Sequence, residues 1–198
     1  MRIGVLGSGQ VGGTIARKLA SLGHDVMVGS RNASAKAAQF QGLKLGTALE
    51  AAAHGEWVVN ALPGETSLRV LGQCEIDGKI LIDIGNYDSA VDHPITIPLG
   101  EAIQTAHPQA RVVKTLNSIS AHLMVDPGNL QPHSVFIASN DEPAKRDVTR
   151  LLESFGWKDV IDLGNLSSCR AMEQLIPLWM SLERRFGGPQ FSLAVVRG

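Results

Sequence analysis

The sequence predicts an α/β fold: a doubly wound parallel sheet followed by a short C-terminal helical extension. Three observations predict it. Short runs rich in Val, Ile and Leu alternate with stretches of helical period from Arg2 to Leu163, the pattern of a sheet whose strands are joined by crossover helices. The run Lys79–Ile84 is apolar almost throughout, as a strand covered on both faces must be. Gly7, Gly9 and Gly12 fall where the first strand-like run gives way to the first helical one. A chain of 198 residues buries about 70% of the surface it exposes when unfolded, so its core needs no disulfide or metal to hold it.

Arg2-Ile3-Gly4-Val5-Leu6 reads as the first strand. Val11, Ile15, Leu19 and Leu22 then share one helical stripe, which Gly23 ends. Asp25–Gly29 is the second strand. Shorter ones follow at Leu43–Leu45 and Trp57–Leu62, the latter stopped by Pro63. Lys79–Ile84, Arg111–Leu116 and Ser134–Ala138 supply three more. Asp141, Glu142 and Pro143 open a helix, because the helix dipole favours acids at that end and proline's fixed φ suits the first turn. Its apolar residues Val148, Leu151, Leu152 and Phe155 fall on one face, and Gly156 closes it. Val160–Leu163 is a last short strand.

Residues 1–164 are thus read as one sheet domain, and residues 165–198 as a helix and tail appended to it. Across Ser167–Leu182 the pattern is helical, but Met172, Leu175, Ile176, Leu178, Trp179, Met180 and Leu182 surround the axis instead of forming one stripe. A helix apolar nearly all round is normally buried. Two burials fit: against its own sheet, with Pro177 bending it, or against a second subunit. The tail Phe191–Val196 is too apolar to remain in water and is expected to dock.

Lys+Arg 18 against Asp+Glu 19 gives a net charge of −1. This argues against nucleic-acid or anionic-membrane partners, both of which need clustered positive charge. Hydrophobic residues at 44% with charged residues at 19% exclude a disordered chain. Cys74 and Cys169 form no Cys-x-x-Cys pair, so no zinc site or disulfide framework is expected, and a reducing cytoplasm is the expected compartment. The first strand pattern begins one residue after Met1, which leaves no signal peptide expected. Gly, Pro or a charge interrupts every apolar run before membrane-spanning length. His24, His54, His93, His107 and His133 have no ligand spacing, and no metal is expected.

Gly7-Ser8-Gly9-Gln10-Val11-Gly12 matches G-x-G-x-x-G at a strand–turn–helix junction. The first glycine permits the tight turn, the second lets backbone approach a pyrophosphate, and the third allows close packing. The helix N-terminus supplies free N–H groups and a positive partial charge. At the end of the second strand, where an NAD site carries Asp or Glu for the ribose hydroxyls, this chain has Gly29-Ser30-Arg31, then Asn32 and, one turn on, Lys36. A hydroxyl and a guanidinium suit a 2′-phosphate, which arginine grips through two charged hydrogen bonds. The missing carboxylate also removes a repulsion against that phosphate. The expected cofactor is NADP(H).

Other parts of such a site come from loops at the carboxyl ends of the strands. Ala61-Leu62-Pro63-Gly64, Gly85-Asn86 and Asn117-Ser118-Ile119-Ser120-Ala121-His122 are those loops. Asn86 and Asn117 can hydrogen-bond a ribose or carboxamide, or serve only as turn formers. His122 is the one histidine near the expected reaction centre and reads more readily as a surface or packing residue than as an acid. Tyr87 is the single tyrosine and has no lysine partner at helical spacing. No catalytic residue is therefore assigned. Hydride transfer to a ring that takes its proton from water needs only positioning.

These segments resemble the deazaflavin-dependent NADP reductases, which exchange hydride between NADP(H) and coenzyme F-420, and the related NADPH domains of STEAP-type ferric reductases. The resemblance runs through Gly7–Gly12, Gly23-His24, Val28–Arg31, Val113-Lys114 to Ala121, Asp162–Gly164 and Ser168–Pro177. It implies a Rossmann-like NADP-binding fold with pyrophosphate contacts from Ser8, Gly9, Gln10 and Val11. It implies a 2′-phosphate site at Ser30 and Arg31, with Lys36 beside it. Ala61, Leu62 and Pro63 would lie along the ribose, and Ile119 and Ala121 against the nicotinamide. The second substrate would occupy the cleft between the sheet and the C-terminal helix. The expected function is hydride transfer between NADPH and a deazaflavin (coenzyme F-420) or flavin acceptor. The alternatives are reduction of a small carbonyl, imine or ferric chelate, or a non-catalytic NADPH-binding sensor or partner subunit. A homodimer is expected, with the C-terminal helix and the tail at its interface.

Overall fold

A computed structural model describes residues 1–88 and 96–198; His93 lies outside the described residues. Eight strands form one sheet: β1 (Arg2–Leu6), β2 (Asp25–Gly29), β3 (Lys44–Gly46), β4 (Trp57–Asn60), β5 (Ile80–Asp83), β6 (Arg111–Thr115), β7 (Val135–Ser139) and β8 (Val160–Asp162). Their order is β3-β2-β1-β4-β5-β6-β7-β8. The chain runs outward from β1 to β3, then returns past β1 to β4 and continues the other way. This reversal puts the carboxyl ends of β1 and β4 at a switch point, the usual place for a ligand crevice.

The connecting helices are α1 (Gln10–Ser21), α2 (Ala33–Lys36), α3 (Ala48–His54), α4 (Gly64–Leu71), α5 (Leu99–Ala106), α6 (Ala121–Val125) and α7 (Glu142–Phe155). Alternation along the strands sends Ile3, Val5, Val26 and Val28 to one face, where α1 and α7 contribute Ile15, Leu19, Val148 and Leu152. Leu6, Val58, Leu81 and Val112 go to the other face, under Ala51, Leu71, Leu99 and Ile103. Both faces are covered, as the apolar strand runs require. α7 begins as its sequence predicts, with Asp141 accepting from Ala144 N at 2.8 Å, and ends at Gly156 with φ +109°. No helix among the described residues is long and apolar enough to cross a membrane.

Two expectations are corrected. β7 runs antiparallel to β6, although the other pairings are parallel, β7 with β8 included. A parallel return requires a crossover that traverses the length of the sheet. Between β6 and β7 the chain makes only the five-residue α6 and a 3-10 turn, Pro127–Asn129. It stays at one end of the sheet, and β7 starts where β6 stops.

The C-terminal segment is not one bent helix either. It comprises a 3-10 turn at Leu166–Ser168, then α8 (Cys169–Gln174) and α9 (Ile176–Phe186), with the break at Leu175. Pro177 has no N–H to give and its ring would meet the carbonyl four residues back, so it is accommodated only in the first turn of a new helix. Met172 and Glu173 of α8 are buried, but no residue of α9 is. Leu178 is 49% and Phe186 64% exposed. The tail docks as expected. Phe191 packs on Trp179 and Phe186, with ring centroids 5.4 and 5.6 Å apart, and Ser134 N donates to Leu193 O at 2.9 Å.

Candidate functional site

The three glycines of the first turn answer to different demands. Gly7 has φ +114°, and a Cβ there would lie 2.5 Å from Ala61 O; at Gly12 a Cβ would lie 2.0 Å from Gly7 O. The fold itself excludes side chains at both positions. A Cβ at Gly9 meets no protein atom within 4 Å. That position opens onto space at the N-cap of α1, where no side chain caps the helix and no acid sits in the first turn. The free N–H groups and the dipole of α1 thus face an open cradle that fits a pyrophosphate.

The adjacent loop is joined to this turn by a hydroxyl pair. Ser8 Oγ and Ser30 Oγ lie 2.8 Å apart, and Asn32 N donates to Ser30 Oγ at 3.3 Å. Ser30 is buried, so its hydroxyl is fixed between the carboxyl ends of β1 and β2. Arg31 is exposed and has no hydrogen bond or ion pair among the described residues. Lys36 donates to Gln39 Oε1 at 2.9 Å on the same loop. Gln10 is exposed beside the turn, and Val11 is partly buried against the core.

The remaining loops converge at the other half of the same sheet end. Ala61 and Leu62 are half-buried, and the exposed Pro63 is the N-cap of α4. Gly64 N donates to Asn86 O at 2.9 Å. Asn86 Nδ2 donates to Asn117 O at 2.7 Å. Asn117 Nδ2 donates to Asn86 Oδ1 at 3.0 Å and to Met172 O at 2.9 Å. The two asparagines therefore clasp each other and hold α8 against the sheet. The preceding residue, buried Leu116, has φ +61°, the one non-glycine residue with positive φ among the described residues. Such strain persists only where surrounding contacts enforce it. Ile119 is buried and Ala121 half-buried at the start of α6. Ser120 Oγ donates to Pro189 O at 2.6 Å, and His122 Nε2 lies 2.7 Å from Gln190 Oε1. His122 thus tethers the C-terminal tail to the loop.

Beneath these loops lies an ion cluster that the sequence reading missed. Asn60, Asp83 and Lys114 are neighbours in one cross-strand row over β4, β5 and β6. Lys114 Nζ donates to Asp83 Oδ2 at 2.9 Å and to Gly85 O at 2.5 Å, and lies 3.0 Å from Glu173 Oε1. Asp83 Oδ1 accepts from Asn60 Nδ2 at 2.9 Å and from Gly85 N at 3.1 Å. Glu173 also accepts from Leu99 N at 2.9 Å and Gly100 N at 3.3 Å, which caps α5 from α8. The side chains of all three ions are fully buried. Burial pulls the Lys114 ammonium down, but the charges and hydrogen bonds of Asp83 and Glu173 outweigh it and hold it above the usual lysine value. Burial pushes the neighbouring Cys169 thiol up to about 12, so it is no nucleophile. The available signal was a single polar residue late in each apolar run: Trp57-Val58-Val59-Asn60, Ile80-Leu81-Ile82-Asp83 and Val112-Val113-Lys114.

The model of the coenzyme F420-dependent NADP oxidoreductase family matches residues 2–87. The chain is 30% identical to the F420-dependent NADP reductase of Methanothermobacter marburgensis, with 92% of each chain covered. It is 32% identical to the metalloreductase STEAP3 of Rattus norvegicus over 90% of its own length, yet spans only 38% of that relative. It covers 66% of the F420-dependent NADP reductase of Methanocaldococcus jannaschii at 28% identity. Among solved structures, a protein of Arthrobacter sp. FB24 assigned as an F420-dependent NADP-reductase superposes with a TM-score of 0.91 at 40% identity, with 98% of this chain and 99% of that one covered. An imine reductase of Aspergillus terreus shares the fold at a TM-score of 0.69 and 17% identity, over 94% of this chain and 62% of its own.

Proposed function

The chain belongs to the coenzyme F420-dependent NADP oxidoreductase family, and from that premise we propose that it transfers hydride between NADP(H) and a deazaflavin (coenzyme F-420) or flavin acceptor. The observation that carries the NADP half is the open cradle at Gly9 beside the buried Ser30 hydroxyl and the exposed Arg31 guanidinium, which has no partner among the described residues. In this reading Ser8, Gly9, Gln10 and Val11 bind the pyrophosphate through backbone N–H groups, in a turn shaped by Gly7 and Gly12. Ser30 and Arg31 hold the 2′-phosphate, with Lys36 adding charge once it leaves Gln39. Ala61, Leu62 and Pro63 line the ribose, Ile119 and Ala121 back the nicotinamide, and the Asn86–Asn117 clasp fixes the loops around it. The bound nicotinamide supplies the hydride chemistry. The protein's contribution is orientation and exclusion of water, and no side chain is assigned as an acid.

The partly buried face of α9 and the docked tail wall the acceptor side. We infer that a second copy of the chain covers the exposed face of α9 in a C2 homodimer, the commonest assembly of soluble proteins. The free Cys74 and Cys169 suit a reducing cytoplasm.

The test is NADPH oxidation against a panel of coenzyme F-420, FMN, FAD, a cyclic imine and ferric chelates. Turnover with the deazaflavin or a flavin is the expected result. Tight NADPH binding with no turnover would instead make the chain a non-catalytic sensor or partner subunit. Turnover confined to the ferric chelates would favour the reading suggested by the 32% identity to STEAP3.

A further inference from the structure

The buried Asp83–Lys114–Glu173 cluster carries more negative than positive charge. Its carboxylate oxygens face donors throughout: Asp83 Oδ1 receives Asn60 Nδ2 and Gly85 N, Asp83 Oδ2 receives Lys114 Nζ, and Glu173 receives Lys114 Nζ, Leu99 N and Gly100 N. Every hydrogen bond that the two acids receive from the described residues comes from an N–H or ammonium donor, the partners that a carboxylate takes. The N-terminus of α5 contributes a partial positive charge against Glu173, worth about half an elementary charge, which offsets the excess only in part. Among the described residues, the neutral Cys169 thiol and the Tyr87 phenol, which burial first and then Glu173 raise, bear on the cluster and add no positive charge.

The position of this excess matters. Asp83 and Lys114 hold Gly85 by its N–H and its carbonyl, one residue before Asn86. The adenosine half of a bound dinucleotide is fixed over β1 and β2 by the glycine turn, Ser30 and Arg31. Its nicotinamide half then lies over the loops that follow β4, β5 and β6, directly above the cluster. Water cannot reach these charges to screen them, so they act over distances at which surface charges do not.

We propose that Asp83, Lys114 and Glu173 are positioning residues that set the electrostatic field of the redox step, their excess negative charge favouring the cationic oxidised nicotinamide over the neutral reduced one. The inference rests on the NADP(H) reading above. Hydride transfer breaks the C4–H bond of the reduced ring and sends both electrons with the hydrogen to the acceptor. The nicotinamide ring is left with one positive charge, the acceptor ring takes the proton that completes its reduction from water, and no further reductant takes part. The cluster thereby makes bound NADPH a stronger hydride donor than it would be without the excess charge.

The experiment compares dissociation constants of NADP+ and NADPH for the full chain and for Glu173→Gln and Asp83→Asn. NADPH is read by its fluorescence and NADP+ by displacement. Each variant keeps the shape of the side chain and removes one buried negative charge. A unit charge about 10 Å away at an effective dielectric of about 20 corresponds to a ratio of Kd(NADP+) to Kd(NADPH) that rises about five- to twentyfold. For a two-electron couple that is a shift of about 20 to 40 mV in the bound potential. A cluster that only braces the fold would weaken both forms together. An unchanged ratio in a variant with native circular dichroism therefore overturns this inference alone. Failure of the wild-type chain to bind either form overturns the NADP(H) reading and this inference with it.

Discussion

Arg31→Ala separates recognition of the 2′-phosphate from support of the fold. Arg31 is exposed and has no partner among the described residues, so its removal leaves no buried group unsatisfied and should not lower the melting temperature. Against NADPH it removes a charge-assisted contact, worth about 1.5–3 kcal/mol when well formed. Exposure to solvent and salt trims that value. Ser30 stays in place, held by Ser8 and by Asn32 N, and keeps its own share of the phosphate contact. The expected loss is therefore about 1.5–2.5 kcal/mol, which is roughly ten- to sixtyfold in Kd for NADPH. NADH has no phosphate at that position, so its affinity should move by less than about twofold. The assay is a fluorescence titration of both reduced cofactors, at low and at high salt, with wild type and variant. The NADPH penalty should shrink as salt rises, because an exposed ion contact is screened. Equal weakening of NADPH and NADH would show that Arg31 acts through the loop's conformation, and the selectivity argument would fail.

Gly9→Val should abolish binding of both cofactors while the protein remains folded. Backbone φ at Gly9 is −78°, open to any residue, and a side chain there meets only the space a pyrophosphate needs; native circular dichroism with undiminished NADPH affinity would refute this. The Arg111 guanidinium beside Asp141 holds that carboxyl below the usual carboxylate range, through contacts of 2.7 and 3.1 Å. A folded pKa below the unfolded one gives stability above about pH 4 that disappears as pH falls through the folded value. In urea unfolding Asp141→Asn, which keeps the cap on Ala144 N, should accordingly cost about 0.5–1 kcal/mol at neutral pH, and a gap that persists in strong acid would contradict the linkage. For the dimer, Leu178→Glu with Phe186→Glu alters side chains already exposed in one protomer, so it should leave the fold intact and turn a sedimenting dimer into a monomer. A monomeric wild type at micromolar concentration would remove the proposal. Truncation after Gly164 is a poorer test, because it strips Glu173 from the buried Lys114.

Much of the glycine-turn half of the candidate site is legible in the sequence because its causes are local. The Gly7–Gly12 spacing, the strand before it and the Ser30–Arg31 pair one strand later lie within about thirty residues, and the parallel register of β1 with β2 brings them together. The opposite half depends on register over longer distances. Asn60, Asp83 and Lys114 each look like the polar end of an apolar strand. Only the pairing of Asn60 with Asp83, and of Asp83 with Lys114, makes them one row. Asn86 and Asn117 read alone as turn formers, and each proves to be the other's partner. The direction of β7 was equally hidden, since it depends on the path taken by α6 rather than on any strand pattern. Pro177 was visible as a bend, but Glu173 shows why the break falls there. Its carboxylate is committed to Lys114 and the N-terminus of α5, which fixes the axis of α8. A straight continuation would carry Pro177 against the carbonyl of that same residue. The helix must restart, and α9 leaves at an angle that keeps all of its residues out of the protomer's core. The ion cluster beneath the loops that follow β4, β5 and β6 thus also determines which apolar helix face is left exposed on the protomer.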